Sequence, residues 1–390
     1  MRQRRYLSLD DFECGARGRL PRPLFHYIRG GVEQDLALKG NRAAFECFAF
    51  VTRVLCDVSV RSLETRLLGQ DYAAPFGIAP MGLCALDAYR GDIVLARAAA
   101  AANVPMVVSA TSLIPMEEIA PHNEGAWFQA YLRGGEEEID HMLGRVEGAG
   151  FRTLVVTVDI PVMANRENNI RVGFTTPLRP SLRLAWDGLL RPRWLGGVFF
   201  RTLLRHGMPH FENSTHVRGS PVLSPHAARD FSGQARLSWE HVRQIRERWR
   251  GHFILKGLLA PADVALAREH GVDAVIASNH GGRQLDSTIS PLLMLADLLA
   301  AAKGMPVMLD GGIRRGGDVV KALALGAAFV FVGRPFAYAA SVGGEDGVAH
   351  AIALLRQEID RTMAMLGCRS IGEIGSGHVR RSDGSFLAPP

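Results

Sequence analysis

The chain has 390 residues, of which 47% are apolar and 22% charged, with 42 Gly and 20 Pro. That apolar share supplies a sizeable core and excludes global disorder. No charge-free apolar run reaches the roughly 18 residues of a spanning helix, and the basic start MRQRRYLSLDDF lacks the apolar stretch of a secretory signal. Lys and Arg (45) exceed Asp and Glu (39) by 6, a balance that favours anionic partners: small acids, phosphates, anionic lipid or nucleic acid.

In chain order, residues 1–74 read as a short helical and irregular N-terminal cover. From residue 75 onward, short β-rich runs alternate with Ala-rich helical stretches. The runs are 76–79, 105–109, 127–130, 154–158, 253–256, 274–278, 307–310 and 329–332. Most are continuously apolar, as expected of parallel strands buried on both faces. Helical patterns over 92–102 (with Asp92 as an acidic cap), 261–270, 291–302 and 317–325 separate them. Eight such units predict an α/β fold, a (β/α)8 TIM barrel, over 75–370. Residues from about 165 to 237 break the repeat as a long insertion after the fourth strand, too long for an ordinary loop. Residues 371–390 read as a tail, and 1–390 as a single domain. The five cysteines, Cys14, Cys47, Cys56, Cys84 and Cys368, form no CxxC and no Cys/His cluster with zinc spacing. Reduced thiols, a cytosolic setting and no metal are the expectation.

In a TIM barrel, chemistry gathers at the C-terminal ends of the strands. There stand Pro80-Met81-Gly82, Ser109, Gln129, Thr157 with Asp159, Lys256, Ser278 with His280, Asp310, and Gly333-Arg334. Two glycine clusters follow the last two strands: Asp310-Gly311-Gly312-Ile313-Arg314 and Gly333-Arg334-Pro335. Glycine lets backbone N–H groups approach phosphate oxygens, and arginine adds forked charge-assisted bonds. His280 and Arg283, three residues apart on one loop, suit a proton acceptor and a carboxylate holder. Taken alone, Lys256 also suits the Schiff-base lysine of an aldolase-type barrel, and Tyr27 a packing role.

The runs SNHGGRQLD, LDGGIRRGGDVVKALALGA and VGRP together resemble the FMN-dependent α-hydroxy acid dehydrogenases and oxidases, the family of glycolate oxidase, lactate dehydrogenase and mandelate dehydrogenase. The resemblance extends from Leu20-Pro21 to Cys368-Arg369. It implies His280 as the active-site base and Asp159 as the carboxylate that supports it. It implies Arg166 and Arg283 as the grip on the substrate carboxylate, with Tyr27 and Tyr131 as substrate contacts. Lys256 would stand beside the flavin N1 and C2 carbonyl. Pro80, Met81, Gly82, Ser109, Gln129, Thr157 and Ser278 would complete the flavin contacts. Asp310, Gly311, Gly312, Ile313 and Arg314, with Gly333 and Arg334, would hold the ribityl chain and phosphate. Met81 departs from the small polar residue common in the family. Alanine is common at the place of Gly82 in the oxidases and glycine in the dehydrogenases, so Gly82 points to a dehydrogenase.

Residues 179–211 read RPSLRLAWDGLLRPRWLGGVFFRTLLRHGMPHF, mixing arginine with Trp, Phe and Leu. That mixture suits an anionic bilayer surface, and it resembles the membrane-docking segment of the mandelate dehydrogenase branch. A mobile lid or an oligomer contact is the competing use. The expectation is an FMN-dependent dehydrogenase of a small (S)-2-hydroxy acid, mandelate- or lactate-like, with electrons passing to quinone or another acceptor. It would lie peripherally on the inner face of an anionic membrane, bind no nucleic acid, and assemble as the homotetramer frequent in this family. The alternative is a soluble oxidase that uses oxygen and releases hydrogen peroxide.

Overall fold

The computed structural model describes residues 6–224 and 232–384. The start of the expected cover, residues 225–231 of the insertion and the end of the tail lie outside the described residues. Three helices open the chain: α1 (Leu9–Arg19), α2 (Arg22–Arg29) and α3 (Leu36–Glu46). Helix α1 starts where the Asp11 carboxylate accepts from the Ser8 and Leu7 amides at 2.9 and 2.7 Å, a reciprocal cap that satisfies donors the helix leaves open. Proline stands at the entry to α2, where its missing N–H costs nothing.

Strand β1 (Phe48–Phe50) and a hairpin of β2 (Thr65–Leu67) and β3 (Gln70–Tyr72) lead into the barrel. Its strands are β4 (Phe76–Ile78), β5 (Val107–Ser109), β6 (Trp127–Ala130), β7 (Thr153–Thr157), β8 (His252–Leu258), β9 (Ala274–Ala277), β10 (Val307–Asp310) and β11 (Phe329–Val332). They pair in parallel in the order β5-β6-β7-β8-β9-β10-β11-β4. The seam between β4 and β5 is drawn together by one bridge, Ile78 to Met106, and by the Ile78 amide donating to Pro105 O at 2.8 Å. Inside, Val107, Trp127, Val155, Ile254, Ile276, Met308, Phe329 and Phe331 interdigitate in a buried plug. The outward-facing strand residues meet the helices in a second, larger core. The continuously apolar strand runs follow from this burial on both sides.

The first barrel helix, Gly91–Ala101, corrects the expected cap. Arg90, in the left-handed region at φ 58°, is the N-cap, and Asp92 lies inside the first turn. Burial pushes the Asp92 carboxyl up to about 6. The residue serves the interior rather than the helix end. The expected tail also has more structure than its sequence suggests, for β12 (Val379–Arg381) pairs antiparallel with β1 and ties the two ends together.

The cover is fastened to the barrel mouth by polar groups. Asn41 of α3 and Asn279 exchange amide hydrogen bonds of 2.7 and 2.8 Å, both side chains buried. Asp286 accepts from the Gln34 and Ala37 amides at 3.0 and 2.9 Å. Gly282 lies so close that a Cβ there would sit 2.4 Å from Leu38 N, and its φ is 73°. Only glycine meets both conditions.

The insertion after β7 carries helices Glu167–Arg171, Leu182–Leu189, Pro192–Trp194 and Arg201–His206, with a π-helical turn over Leu195–Phe200. Trp194 anchors it, donating from Nε1 to Leu86 O at 2.6 Å. Arg191 adds a bond to Leu20 O of the cover at 3.2 Å. Leu182, Trp186, Leu189, Leu190, Phe200 and Leu204 of this segment remain exposed. Among the described residues no helix is long and apolar enough to cross a membrane.

The buried Asn pair gives a test of the docking. Replacing Asn41 by Ala removes both of its bonds to the Asn279 amide, which keeps its contacts with Ile289 O and the Gly282 amide, and each lost hydrogen bond costs about 0.5–1.5 kcal/mol net. The urea midpoint should fall without a change of slope. An unchanged midpoint would mean that the pair contributes nothing to stability.

Candidate active site

A cavity, open at its mouth, lies at the C-terminal ends of the strands. Of the residues expected there from the sequence, Tyr27, Pro80, Met81, Gly82, Ser109, Tyr131, Thr157, Arg166, Lys256, His280, Arg283, Asp310, Gly311, Gly312, Ile313, Arg314, Gly333 and Arg334 line it. Gln129 and Ser278 do not line it. They are fully buried and support residues that do. Gln129 Oε1 accepts from Ser109 Oγ at 3.1 Å, and Ser278 Oγ accepts from Lys256 Nζ and from the His280 amide, both at 2.9 Å. Asp159 stands one step behind His280 in the same way.

Each strand end places its side chain by ordinary local rules. Strand β8 directs Lys256 into the interior, where it is 3% exposed. Its ammonium meets Asp310 Oδ2, at the end of β10, at 2.9 Å. Burial works against the charged lysine, but the Asp310 and Asp159 carboxylates outweigh it and hold its pKa above the ordinary value. Beyond β9 the chain turns through three left-handed residues, His280, Gly281 and Gly282, at φ 58°, 66° and 73°. A left-handed non-glycine residue is uncommon and is held there by its surroundings. This turn aims His280 Nδ1 at Asp159 Oδ1, 3.0 Å away. Burial, with Lys256 and Arg166 nearby, keeps the imidazole pKa below its usual value against the opposing pull of Asp159. The ring is therefore a neutral base at neutral pH, with a carboxylate ready to stabilise it once protonated.

A cluster of guanidinium groups faces this pair. Arg283 donates from Nη1 to the carbonyls of Tyr27, Ile28 and Gly30 at 2.7, 3.2 and 2.9 Å, at the end of α2. Its carbon lies 4.8 Å from the Tyr27 ring centre, and that ring stacks on Phe174 at 4.4 Å. Arg166 donates to Arg283 O at 3.1 Å and to Gln284 Oε1 at 2.6 Å. Arg334 donates to Ile28 O, Gly30 O and Gly281 O. Burial, then Arg283 and Arg314, bring the Arg334 pKa down to about 9. Such crowding of like charges is what an anion site requires, since it is costly without the anion.

The sequence reading missed several lining residues: Thr111, Ile160, Met163, Ala164, Gln284 and Asp87. Gln284 lies within the SNHGGRQLD run and could have been singled out. Thr111 follows Ser109 in a polar turn after the second barrel strand. Phe174, beneath Tyr27, comes from the insertion and carried no signal.

The cavity fits the FMN expected from the resemblance. Thr157 Oγ1 and Asp310 Oδ1, in the cavity wall, are wholly buried and have no hydrogen-bond partner among the described residues. Buried polar atoms are normally paired, and these suit the hydrogen-bonding edge and polyol of a flavin mononucleotide. The glycines at 311, 312 and 333, with Arg314 and Arg334, line the same cavity and would provide the backbone amides and charge for its phosphate.

Comparison with known proteins agrees. The family model for FMN-dependent dehydrogenase matches residues 16–381. The chain is 37% identical over 383 residues to (S)-mandelate dehydrogenase of Pseudomonas putida, covering 98% of this chain and 96% of that protein. It is 38% identical over 384 residues to L-lactate dehydrogenase of Pseudomonas paraeruginosa, covering 96% and 98%. A crystal structure of the monotopic membrane protein (S)-mandelate dehydrogenase superposes with a TM-score of 0.86 at 35% identity, covering 97% of this chain and all of that one. The parallel barrel, the cavity at its strand ends and a family match across almost the whole length place this chain in the FMN-dependent dehydrogenase family, with FMN as its cofactor.

Proposed function

We propose that the protein oxidises a small (S)-2-hydroxy acid, mandelate- or lactate-like, to the 2-oxo acid and delivers the electrons to quinone or another membrane acceptor. The observation that carries this reading is the meeting of the His280–Asp159 pair with Arg166 and Arg283 around one cavity. Oxidising a secondary alcohol releases two electrons and two protons. Bound FMN supplies the two-electron acceptor. Arg166 and Arg283 hold the substrate carboxylate and so fix the reacting carbon. Among the described residues only Nη1 of Arg283 is engaged by hydrogen bonds, which leaves the rest of its fork for the carboxylate. Tyr27 and Tyr131 orient the hydroxyl and, later, the keto oxygen. His280 takes a proton of the reacting CH–OH group, and Asp159 stabilises the resulting imidazolium. Lys256, kept charged by Asp310, offers positive charge where the cofactor gains electrons.

The membrane acceptor is supported by the insertion. Its exposed Leu182, Trp186, Leu189, Leu190, Phe200 and Leu204 alternate with Arg183, Arg191, Arg193, Arg201 and Arg205. That pattern fits a surface seated at an anionic headgroup layer. Similarity to a monotopic relative supports the same placement.

Anaerobic bleaching of the flavin by a panel of 2-hydroxy acids tests the activity, and a panel that leaves the flavin oxidised overturns it. Reduced enzyme should be reoxidised faster by a short-chain quinone than by oxygen, whereas fast reaction with oxygen would make it an oxidase.

Further outcomes are expected. The rate of flavin reduction should rise with pH through a midpoint below the ordinary imidazole value of about 6.5 and level off above it, because the depressed His280 must be neutral to act. His280→Ala should retain FMN but lose about 10²–10⁴ in rate, and Asp159→Asn should lower both the plateau and the midpoint. Arg283→Lys should raise the substrate KM about tenfold with a smaller effect on the limiting rate, because lysine lacks the fork. Replacing Leu182, Trp186, Leu189 and Leu204 by Gln should release the protein from vesicles containing phosphatidylglycerol while flavin reduction continues. Undiminished vesicle binding would remove the membrane from this account.

A further inference from the structure

Asp87 lines the same cavity yet belongs to neither the cofactor cradle nor the carboxylate clamp. It ends the short helix Cys84–Asp87, which follows directly on the Pro80-Met81-Gly82 turn. The residue is 4% exposed. Among the described residues no donor or cation pairs with its carboxyl. A buried aspartate in that condition is unusual, because charged residues are almost never buried unpaired and buried polar groups are almost always satisfied.

Burial, followed by the nearby Asp92 carboxylate, pushes the Asp87 pKa well above the usual carboxylate range. When protonated, Asp87 offers one O–H donor and several acceptor lone pairs, and when ionised it offers acceptors alone. Burial and Asp92 both disfavour the ionised form that an ammonium would need, and a second carboxylate would be repelled whenever Asp87 ionised. A hydroxyl matches both the donor and the acceptor. The remaining wall outside the cradle and clamp includes the apolar Ile160, Met163 and Ala164 and the small polar Thr111. An apolar substrate body with one hydroxyl suits that lining. Thr111 is itself occupied by a 2.9 Å bond between its Oγ1 and Ser109 Oγ, so Asp87 is the uncommitted group.

Building on the reading of the protein as a 2-hydroxy acid dehydrogenase, we propose that Asp87 is a specificity-determining residue that hydrogen-bonds a second hydroxyl, carried on the substrate side chain beyond C2. A site built to pair a substrate hydroxyl discriminates strongly against the analogue that lacks it, because the protein group is then stranded. The preferred substrate would thus be a hydroxylated acid rather than its hydrocarbon counterpart.

The test compares matched pairs under anaerobic conditions with FMN bound. (S)-mandelate is set against its 3- and 4-hydroxyphenyl counterparts, and (S)-lactate against the 2,3-dihydroxypropanoate of the same hand at C2. Wild-type protein should reduce its flavin with a kcat/KM at least about tenfold higher for the hydroxylated member of one or more pairs. Asp87→Leu should abolish or reverse that ratio, lowering the rate with the hydroxylated acid and leaving or raising that with the hydrocarbon acid. Affinities of the corresponding 2-oxo acids, read from the oxidised flavin spectrum, should follow the same order. A merely structural role would lower both members of a pair together and leave the ratio intact, which overturns the assignment. So does a wild-type protein that shows no preference in any pair, the result expected if water alone satisfies the carboxyl. Should Asp87→Leu fail to retain FMN, Asp87→Ala is read in the same way. If no acid of the panel bleaches the flavin, the underlying activity falls and this assignment with it; bleaching with unchanged ratios removes the assignment alone.

Discussion

The buried ammonium of Lys256 sets the terms for the site. A cation taken out of water is tolerated only with excellent pairing, and here the pairing comes from separate strands. Asp310 at the end of β10 supplies the carboxylate and Ser278, just past β9, the hydroxyl. The same hydroxyl accepts the His280 amide, which starts the left-handed turn that presents the imidazole. Asp159, past β7, completes the arrangement by facing both His280 and Lys256. Four adjacent strand ends are thus held in register by one charge. Loss of the lysine would strand two acids and loosen the loop that carries His280. The barrel provides rigid strands, but this network converts them into a site of defined geometry.

On the other side of the cavity the chemistry is inverted, with positive charge in excess. Arg283 and Arg334 both spend hydrogen bonds on the carbonyls that end α2. Those carbonyls form the negative end of a helix, and cations are favoured there. The cover helices therefore do more than shield the barrel mouth. They offset part of the mutual repulsion of the arginines and leave the remainder for an anion in the cavity. This also accounts for the elaborate fastening of α3, through Asn41 and Asp286, to the loop that bears Arg283. If the cover moved, the carbonyl partners would move with it.

How much of this was legible in the sequence depends on how local the signal is. All eight strands are visible because each is a short apolar run ended by a polar or glycine residue, and the structure shifts their ends by only a residue or two. His280, Arg283, Lys256 and the glycine loops announce themselves through composition at strand ends. The β1–β12 pairing was not visible, since it joins segments more than three hundred residues apart and neither has a strong strand pattern. Asp92 was misread as a cap because an acidic residue near a helix start is ambiguous until burial is known. Phe174 and Asp87 escaped for a related reason. An aromatic in an irregular segment and an acid on a four-residue helix look like ordinary surface residues until the fold closes around them.

The glycine at position 82 shows how two such residues constrain each other. A Cβ at 82 would lie 2.0 Å from Thr111 Oγ1, a distance that no packing adjustment absorbs without moving the threonine. Thr111 is held by Ser109, and Ser109 by Gln129, so a shift at 111 would pass along a buried chain whose far end carries the unpaired Gln129 amide. Glycine at 82 is therefore a condition of this particular neighbourhood and not merely a family habit. Any comparison of this chain with relatives that carry alanine at that place has to treat positions 82 and 111 as one unit, because in contacting residues the effect of one change depends on the other.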